Sequence, residues 1–126
     1  MTPESLQIVL IGETRITGPR LQELLSARPG LVLSGQASDS QSALRLCQQV
    51  NPDVVLLAAR LSDGTGLSVV GQLRQQLPLA IIIVFAESDL SYPRDKYLSE
   101  GANRVILTPR DLSDIADIIG EEISRK

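Results

Sequence analysis

The sequence predicts a doubly wound α/β fold, a three-layer α/β/α sandwich with a five-stranded parallel sheet of (βα)5 order. Apolar residues make up 43% of the 126 residues but aromatics only 2%, so the core is built from Leu, Ile, Val and Ala, as in parallel sheets covered on both faces. Five short apolar runs also alternate with five amphipathic segments. Right-handed crossovers between such strands place helices on both faces. We therefore expect one domain over residues 1–126.

The first unit is a strand over Leu6–Ile11, closed by Gly12, followed by a helix. Pro19 suits the first turn of that helix, because its ring fixes a helical φ and it lacks the amide hydrogen that a first turn leaves unpaired. Leucines follow at helical spacing, at positions 21, 24 and 25. The run Arg28–Gly30, with a central proline, ends the helix.

The second unit is a strand over Leu31–Gln36 and a helix that Ser38 or Ser40 can cap. Asn51 and the proline after it end this helix. Its apolar face carries Ala43, Cys47 and Val50. Together these signals predict a short amphipathic helix that covers the sheet.

The third and fourth strands are Asp53–Ala58 and Ala80–Phe85. The second of these is the most hydrophobic strand, and we expect it near the centre of the sheet. Between them lie a turn-rich loop, Ser62–Gly66, and a third helix. The apolar positions of that helix are Leu67, Val70, Leu73 and Leu77.

The last units are a helix within residues 87–101, a strand over Arg104–Leu107 and a final helix capped by Asp111 or Ser113. Gly at position 101 suits the end of the fourth helix. The apolar stripe of the final helix contains Leu112, Ile115, Ala116, Ile119 and Ile123. Each connection is short, as the doubly wound class requires.

Composition excludes several classes of function. The net charge of −3, without a basic run, argues against nucleic-acid binding by this domain. No histidine and a single cysteine rule out Ser-His-Asp and Cys-His catalysis, histidine metal sites and an internal disulfide. The longest apolar stretch, Leu77–Ala86, is too short to span a membrane, and no signal peptide is evident. We expect a cytoplasmic protein that is not an enzyme.

Four sequence phrases resemble the receiver domain of two-component response regulators, the CheY-like family. They are Leu31–Asp39, Asn51–Leu57, Gly64–Leu67 and Ser99–Ala102. The phrases are most similar to receivers whose full-length members continue into a helix-turn-helix DNA-binding domain. The resemblance covers about Leu6–Ile123 and implies a flavodoxin-like fold.

The resemblance also indicates a degenerate phosphorylation site. Receivers accept a phosphoryl group on an aspartate that ends the third strand, where this chain has Ala58. They bind magnesium through a pair of acidic residues after the first strand. This chain has Gly12 and Glu13 at those two positions, so one carboxylate is left. An acyl phosphate needs a carboxylate, and Glu13 alone would bind magnesium poorly. We therefore expect a pseudo-receiver without metal or cofactor.

Three further positions depart from the receiver pattern. Phe85 stands where receivers place a serine or threonine, Thr108 where they place a lysine, and Val105 where they place an aromatic. Without the hydroxyl and the ammonium, phosphoryl oxygens would lose their main partners. The serine or threonine and the aromatic are the switch positions of receivers. Their joint replacement, at Phe85 and Val105, suggests that the coupling between two conformational states is lost. We hypothesise that the Phe85 ring fills the vacated pocket.

Other polar or reactive residues have simpler structural interpretations. Glu13–Gly18 and Ser62–Gly66 could hold a phosphate or another anion, but plain turns are favoured. Asp53 and Asp63 could be substitute phosphate acceptors, but Asp53 begins its strand, away from the site, and Asp63 lies in a loop. Cys47 lies on an apolar helix face and is favoured as a core residue over a nucleophile.

Ile118 lies off the predicted stripe of the final helix. It is either an isolated exposed apolar residue or a partner contact. The resemblance gives the partner contact the same weight as the isolated residue, because receivers dimerise or dock through the fourth helix, fifth strand and fifth helix. Tyr97, Arg104 and Val105 complete this candidate partner surface, which would serve a signalling protein or a homodimer.

The combined interpretation is a phosphorylation-independent receiver that acts as a protein-interaction module in signal transduction. Two alternatives stay open. One is a sensor for a small ligand in a cleft bounded by Glu13, Thr14, Arg60 and Thr108. The other is the N-terminal regulatory part of a DNA-binding transcription regulator.

Overall fold

The computed structural model describes residues 5–12, 17–61, 64–86, 94–107 and 114–124, with the backbone alone at 17–18, 60, 64–65 and 107. The strands are β1 Leu6–Ile11, β2 Leu31–Ala37, β3 Val54–Ala58, β4 Arg60–Leu61, β5 Gly64–Thr65, β6 Ile81–Ala86 and β7 Arg104–Leu107. The helices are α1 Thr17–Ser26, α2 Ser40–Val50, α3 Leu67–Gln76, α4 Arg94–Glu100 and α5 Ile115–Ser124.

One parallel sheet organises the molecule, with strand order β2-β1-β3-β6-β7. The doubly wound prediction is therefore confirmed. The hydrophobic strand β6 lies beside β3, which is the central strand. The short strands β4 and β5 form an antiparallel ribbon that the sequence pattern did not predict.

Side chains on the two faces of the sheet form two separate cores, because successive residues of a strand point to opposite faces. One core packs beneath α1 and α5, and its sheet residues include Leu10, Leu56 and Ile83. The other packs beneath α2, α3 and α4 and includes Val9, Val55 and Ile82. Nearly every sheet position of β1, β3 and β6 is buried, which explains their continuous apolar sequences.

The ends of α2 show which local signals set its limits. Its N-cap is Asp39, and not Ser38 or Ser40 as predicted. The Asp39 carboxylate accepts bonds from the Ser42 amide at 2.8 Å and the Ser42 hydroxyl at 3.1 Å. A carboxylate accepts hydrogen bonds from the first amides of a helix and also carries a negative charge, which the positive end of the helix dipole stabilises. Asp39 therefore serves as the N-cap in place of the predicted serines. The helix ends, as predicted, at Asn51, which adopts a left-handed conformation with φ of 52°.

The Arg74 guanidinium joins the end of α3 to the turn before β7. It donates to the Gly101 carbonyl at 2.8 and 3.0 Å, the Ala80 carbonyl at 2.7 Å and the Asn103 side-chain oxygen at 2.6 Å. Gly101 has φ of +125°, and a Cβ there would lie 2.8 Å from the Arg74 side chain. Glycine therefore permits both the turn and the close approach of Arg74. The arginine thus positions α4 and β7 relative to α3.

We predict that Arg74→Met lowers the free energy of unfolding by about 2–4 kcal/mol, because charge-assisted bonds to partly buried carbonyls are lost. Urea denaturation would measure the change. Arg45→Met, at an exposed position of α2, is the matched control and should shift stability by no more than about 0.5 kcal/mol. Equal losses in the two variants would contradict the role assigned to Arg74.

Candidate functional site

The carboxyl end of β3 is closed by apolar side chains. Ala58, the last residue of β3, pairs with Phe85 on β6, and Phe85 pairs with Ile106 on β7. All three side chains belong to the core beneath α1 and α5, and Phe85 is only 4% exposed. A buried ring therefore lies beside the position where an open α/β sheet usually binds its ligand.

Gly12 ends β1 at the same edge of the sheet. It has φ of 125°, a conformation that favours glycine, and its amide donates to the Ala37 carbonyl at 2.8 Å. Of the other predicted site residues, Glu13, Thr14 and Thr108 lie outside the described residues, as does the Arg60 side chain. Among the residues that are described, there is no cluster of three or more metal-ligating side chains.

The segment that follows Ala58 is held close to the start of α3. The Ala59 amide donates to the Phe85 carbonyl at 2.9 Å, and its carbonyl accepts from the Gly66 amide at 3.0 Å. A Cβ on Gly66 would lie 3.0 Å from the Ala58 carbonyl oxygen and 3.2 Å from a Leu57 methyl carbon. The absence of a side chain at Gly66 allows this loop to close directly over the end of β3.

Three of the four residues predicted to form a partner surface, Tyr97, Val105 and Ile118, have buried side chains and therefore do not supply exposed contacts themselves. Ile118 is 7% exposed and is neither an isolated surface residue nor a free contact. It follows Ile115 by three residues, so it lies only about 60° to one side of it on the helix. The buried face of α5 is wider than the predicted stripe and includes Ile118. Tyr97 and Val105 belong to the opposite core, beneath α2, α3 and α4.

Arg104 retains an accessible side chain, 30% exposed, between β7 and α5. Its guanidinium lies 2.6 Å from the Glu121 carboxylate and 3.3 Å from that of Glu122. The hydrogen bond to Glu121 raises the pKa of Arg104, with a further contribution from Glu122. Because Glu122 is buried, this ion pair also supplies a partner for a carboxylate within the fold.

The alternative reactive residues lie in environments that fit structural roles. Cys47 is fully buried, and burial raises the pKa of its thiol to about 11, so the thiol is protonated at neutral pH. Asp53 lies at the amino edge of the sheet, where its carboxylate accepts a bond from the Gln7 amide at 2.8 Å. Asp63 lies outside the described residues. Cys47 thus lies in the core on the other face of the sheet from Ala58, and Asp53 lies at the other end of β3.

A groove of about 450 Å³ opens at the amino edge of the sheet. Its lining includes Leu6, Pro52, Leu79 and Ile123. These residues lie at the strand ends opposite Ala58 and Phe85. The groove therefore does not coincide with the edge at which parallel sheets usually perform chemistry.

A parallel five-stranded sheet in the order β2-β1-β3-β6-β7, with helices on both faces, is the fold expected of the receiver domains that the sequence resembles. The profile described as the response regulator receiver domain matches residues 8–120. The chain belongs to the response regulator receiver domain family. None of the helices in the described ranges has the length and hydrophobicity needed to cross a membrane.

Individual relatives agree with this assignment. The transcriptional regulatory protein LiaR of Bacillus subtilis is 28% identical over 117 residues, which are 90% of this chain and 54% of LiaR. The nitrate/nitrite response regulator NarL of Escherichia coli K12 is 25% identical over 112 residues, which are 89% of this chain and 52% of NarL. The chain thus spans about half the length of these relatives.

Solved structures show the same fold. A two-component response regulator of the LuxR family from Aurantimonas sp. SI85-9A1 has a TM-score of 0.87 at 23% identity, with 98% of this chain and 88% of that chain covered. The response regulator domain of Thermotoga maritima CheB has a TM-score of 0.81 at 16% identity, with 97% and 96% covered. At these identities the likeness establishes the fold alone.

We predict that Phe85→Ala lowers the free energy of unfolding by about 3–5 kcal/mol, because removing a buried ring leaves a cavity at the end of β3. Thermal and urea unfolding would measure the loss. Phe85→Leu retains most of the apolar volume and should cost less than about 1.5 kcal/mol. A loss below about 1 kcal/mol for Phe85→Ala would contradict the hypothesis that the ring fills the former site.

Proposed function

We propose that this chain is a phosphorylation-independent receiver that acts as a non-enzymatic protein-interaction module in cytoplasmic signal transduction. The observation that carries the proposal is the pairing of Ala58 with a buried Phe85 at the end of the central strand. A methyl group cannot form an acyl phosphate, and a ring beside it gives a phosphoryl group neither charge nor hydrogen bonds. The domain would then act through the surface it presents.

Restoring the acceptor alone should not restore phosphorylation. We expect Ala58→Asp, incubated with magnesium and a small acyl phosphate donor, to show no mass increase of one phosphoryl group. The carboxylate would lie beside the Phe85 ring, with Gly12 in place of a metal-binding acid and Thr108 in place of a lysine. Intact-protein mass spectrometry on the folded variant provides the measurement.

The control for this experiment is a receiver that retains its acceptor aspartate, treated in parallel. Its labelling shows that the donor is active. A hydroxylamine-sensitive phosphoryl group on the unmodified chain would overturn phosphorylation independence. The same group on Ala58→Asp would overturn the claim that Gly12, Phe85 and Thr108 no longer support phosphorylation.

We further propose that a protein partner, a second copy of this chain included, binds the face formed by α4, β7 and α5. Tyr97, Val105 and Ile118 lie beneath this face and support it, so the contacts come from accessible residues. On α4, Leu98 is 39% exposed and offers an accessible apolar side chain. The charged pair of Arg104 and Glu121 joins β7 to α5 and would provide a polar rim.

We predict that Leu98→Glu reduces partner capture from cell extract and any self-association in sedimentation velocity by at least about tenfold, because a charge replaces an apolar contact. Leu79→Glu is the matched control, since Leu79 is 80% exposed in the turn between α3 and β6, outside α4, β7 and α5. Identical binding by the two variants would show that the α4 face is not the interface.

A second candidate function follows from the relatives. LiaR is named as a transcriptional regulator, and this chain matches about half of it. We propose that the domain can serve as the regulatory half of a DNA-binding regulator. Immunoblotting of the native protein would test this, because such a regulator would migrate at about twice the mass of this chain.

A further inference from the structure

The Tyr97 hydroxyl lies where α4 meets the end of β3. Tyr97 is 2% exposed, and its hydroxyl donates to the Ala59 carbonyl at 3.3 Å. Burial raises the pKa of Tyr97, and a hydrogen bond from the Gly66 backbone opposes that rise. The hydroxyl is therefore protonated at neutral pH and available as a donor.

The two backbone groups at this hydroxyl delimit one loop. Ala59 follows β3 and Gly66 precedes α3, and the β4–β5 ribbon lies between them. The Ala59 carbonyl also accepts the Gly66 amide at 3.0 Å, and the Gly66 carbonyl accepts the Val70 amide at 3.0 Å. Both ends of the ribbon thus meet at the Ala59 carbonyl, to which the Tyr97 hydroxyl donates from another helix.

The backbone of Tyr97 continues the connection towards β7. Its carbonyl accepts the Ala102 amide at 3.0 Å, in the turn that Arg74 also binds. A single residue therefore links the ribbon beside Ala58, through its hydroxyl, and the turn before β7, through its carbonyl. Tyr97 and Ala59 are 38 residues apart in sequence, so no local structure would couple the ribbon to α4.

We propose that Tyr97 is a positioning residue whose hydroxyl couples the β4–β5 ribbon to α4, so that the two segments open as one unit. A ligand or partner that displaces the ribbon would then loosen α4, and its exposed face, without any phosphoryl transfer. Only this consequence for partner binding rests on the proposed function. The coupling itself is a property of the free chain.

The test is amide hydrogen exchange followed by NMR in Tyr97→Phe, which keeps the ring and removes the hydroxyl. The Gly66 and Ala102 amides report on the ribbon and on α4, respectively. We expect both amides to exchange about tenfold faster, by the same factor. A tenfold change in rate corresponds to about 1.4 kcal/mol in the opening free energy, which is the size of one net hydrogen bond. The Leu77 and Asn51 amides, in the ends of α3 and α2, should keep their rates.

Ser99→Ala is the matched control, since it removes from the same helix a hydroxyl that donates within that helix, to the Lys96 carbonyl at 3.1 Å. It should leave the Gly66 amide unchanged. In the unmodified chain, the Gly66 and Ala102 amides should also share one opening free energy and one dependence on low denaturant.

Acceleration at Ala102 without acceleration at Gly66 would overturn the proposal and leave Tyr97 a support of α4 alone. Equal acceleration of all four amides would also overturn it, because the hydroxyl would then contribute only to global stability. These readouts need no partner. Failure of the Leu98→Glu experiment would therefore not alter them.

Discussion

The apolar closure of the β3 carboxyl end is the constraint on which the rest of the molecule depends. Open α/β sheets leave a crevice at this edge, and crevices of this kind hold ligands because polar groups and water fill them. Here the parallel register aligns Ala58, Phe85 and Ile106 in one row beneath α1 and α5. Burial of the ring removes apolar surface from water and occupies space that a small residue would leave as a cavity. The substitutions at 58 and 85 are therefore complementary in volume.

Three side chains fix the helices and strands around the sheet through bonds to backbone carbonyls or to carboxylates. Arg74 binds the turn after α4, and Tyr97 binds the segment after β3 from within α4. Arg104 connects β7 to α5 through Glu121 and a buried Glu122. Buried carbonyls and carboxylates are costly without partners, so each of these side chains favours one arrangement of its helix. The α4 face thus has a defined conformation without a phosphoryl group.

The sequence could predict the sheet because its signals are local and redundant. β1 and β7 have the predicted bounds, since continuous apolar runs bounded by glycine or polar residues have few alternatives. The β4–β5 ribbon has two-residue strands, which are too short to show a period. At the site, the alanine at 58 could be placed from its strand position. The burial of Tyr97 and Ile118 depends on how α4 and α5 pack against the sheet, which local sequence does not determine. The apolar stripe predicted for α5 was narrower than its buried face, which includes Ile118.

Membership of the family and its chemistry are carried by different residues, which is why one can persist without the other. The fold depends on the continuous apolar sequences of β1, β3 and β6, which supply both cores, and on glycines such as Gly66, which permits a close approach to the Ala58 carbonyl. None of these residues needs an ionisable group. The chemistry of a receiver depends on a few polar side chains at one edge, and replacing them with apolar groups removes the cost of keeping charges together there. Under the proposed function, a chain without phosphotransfer would thus retain the fold, because the residues at 58 and 85 extend the core.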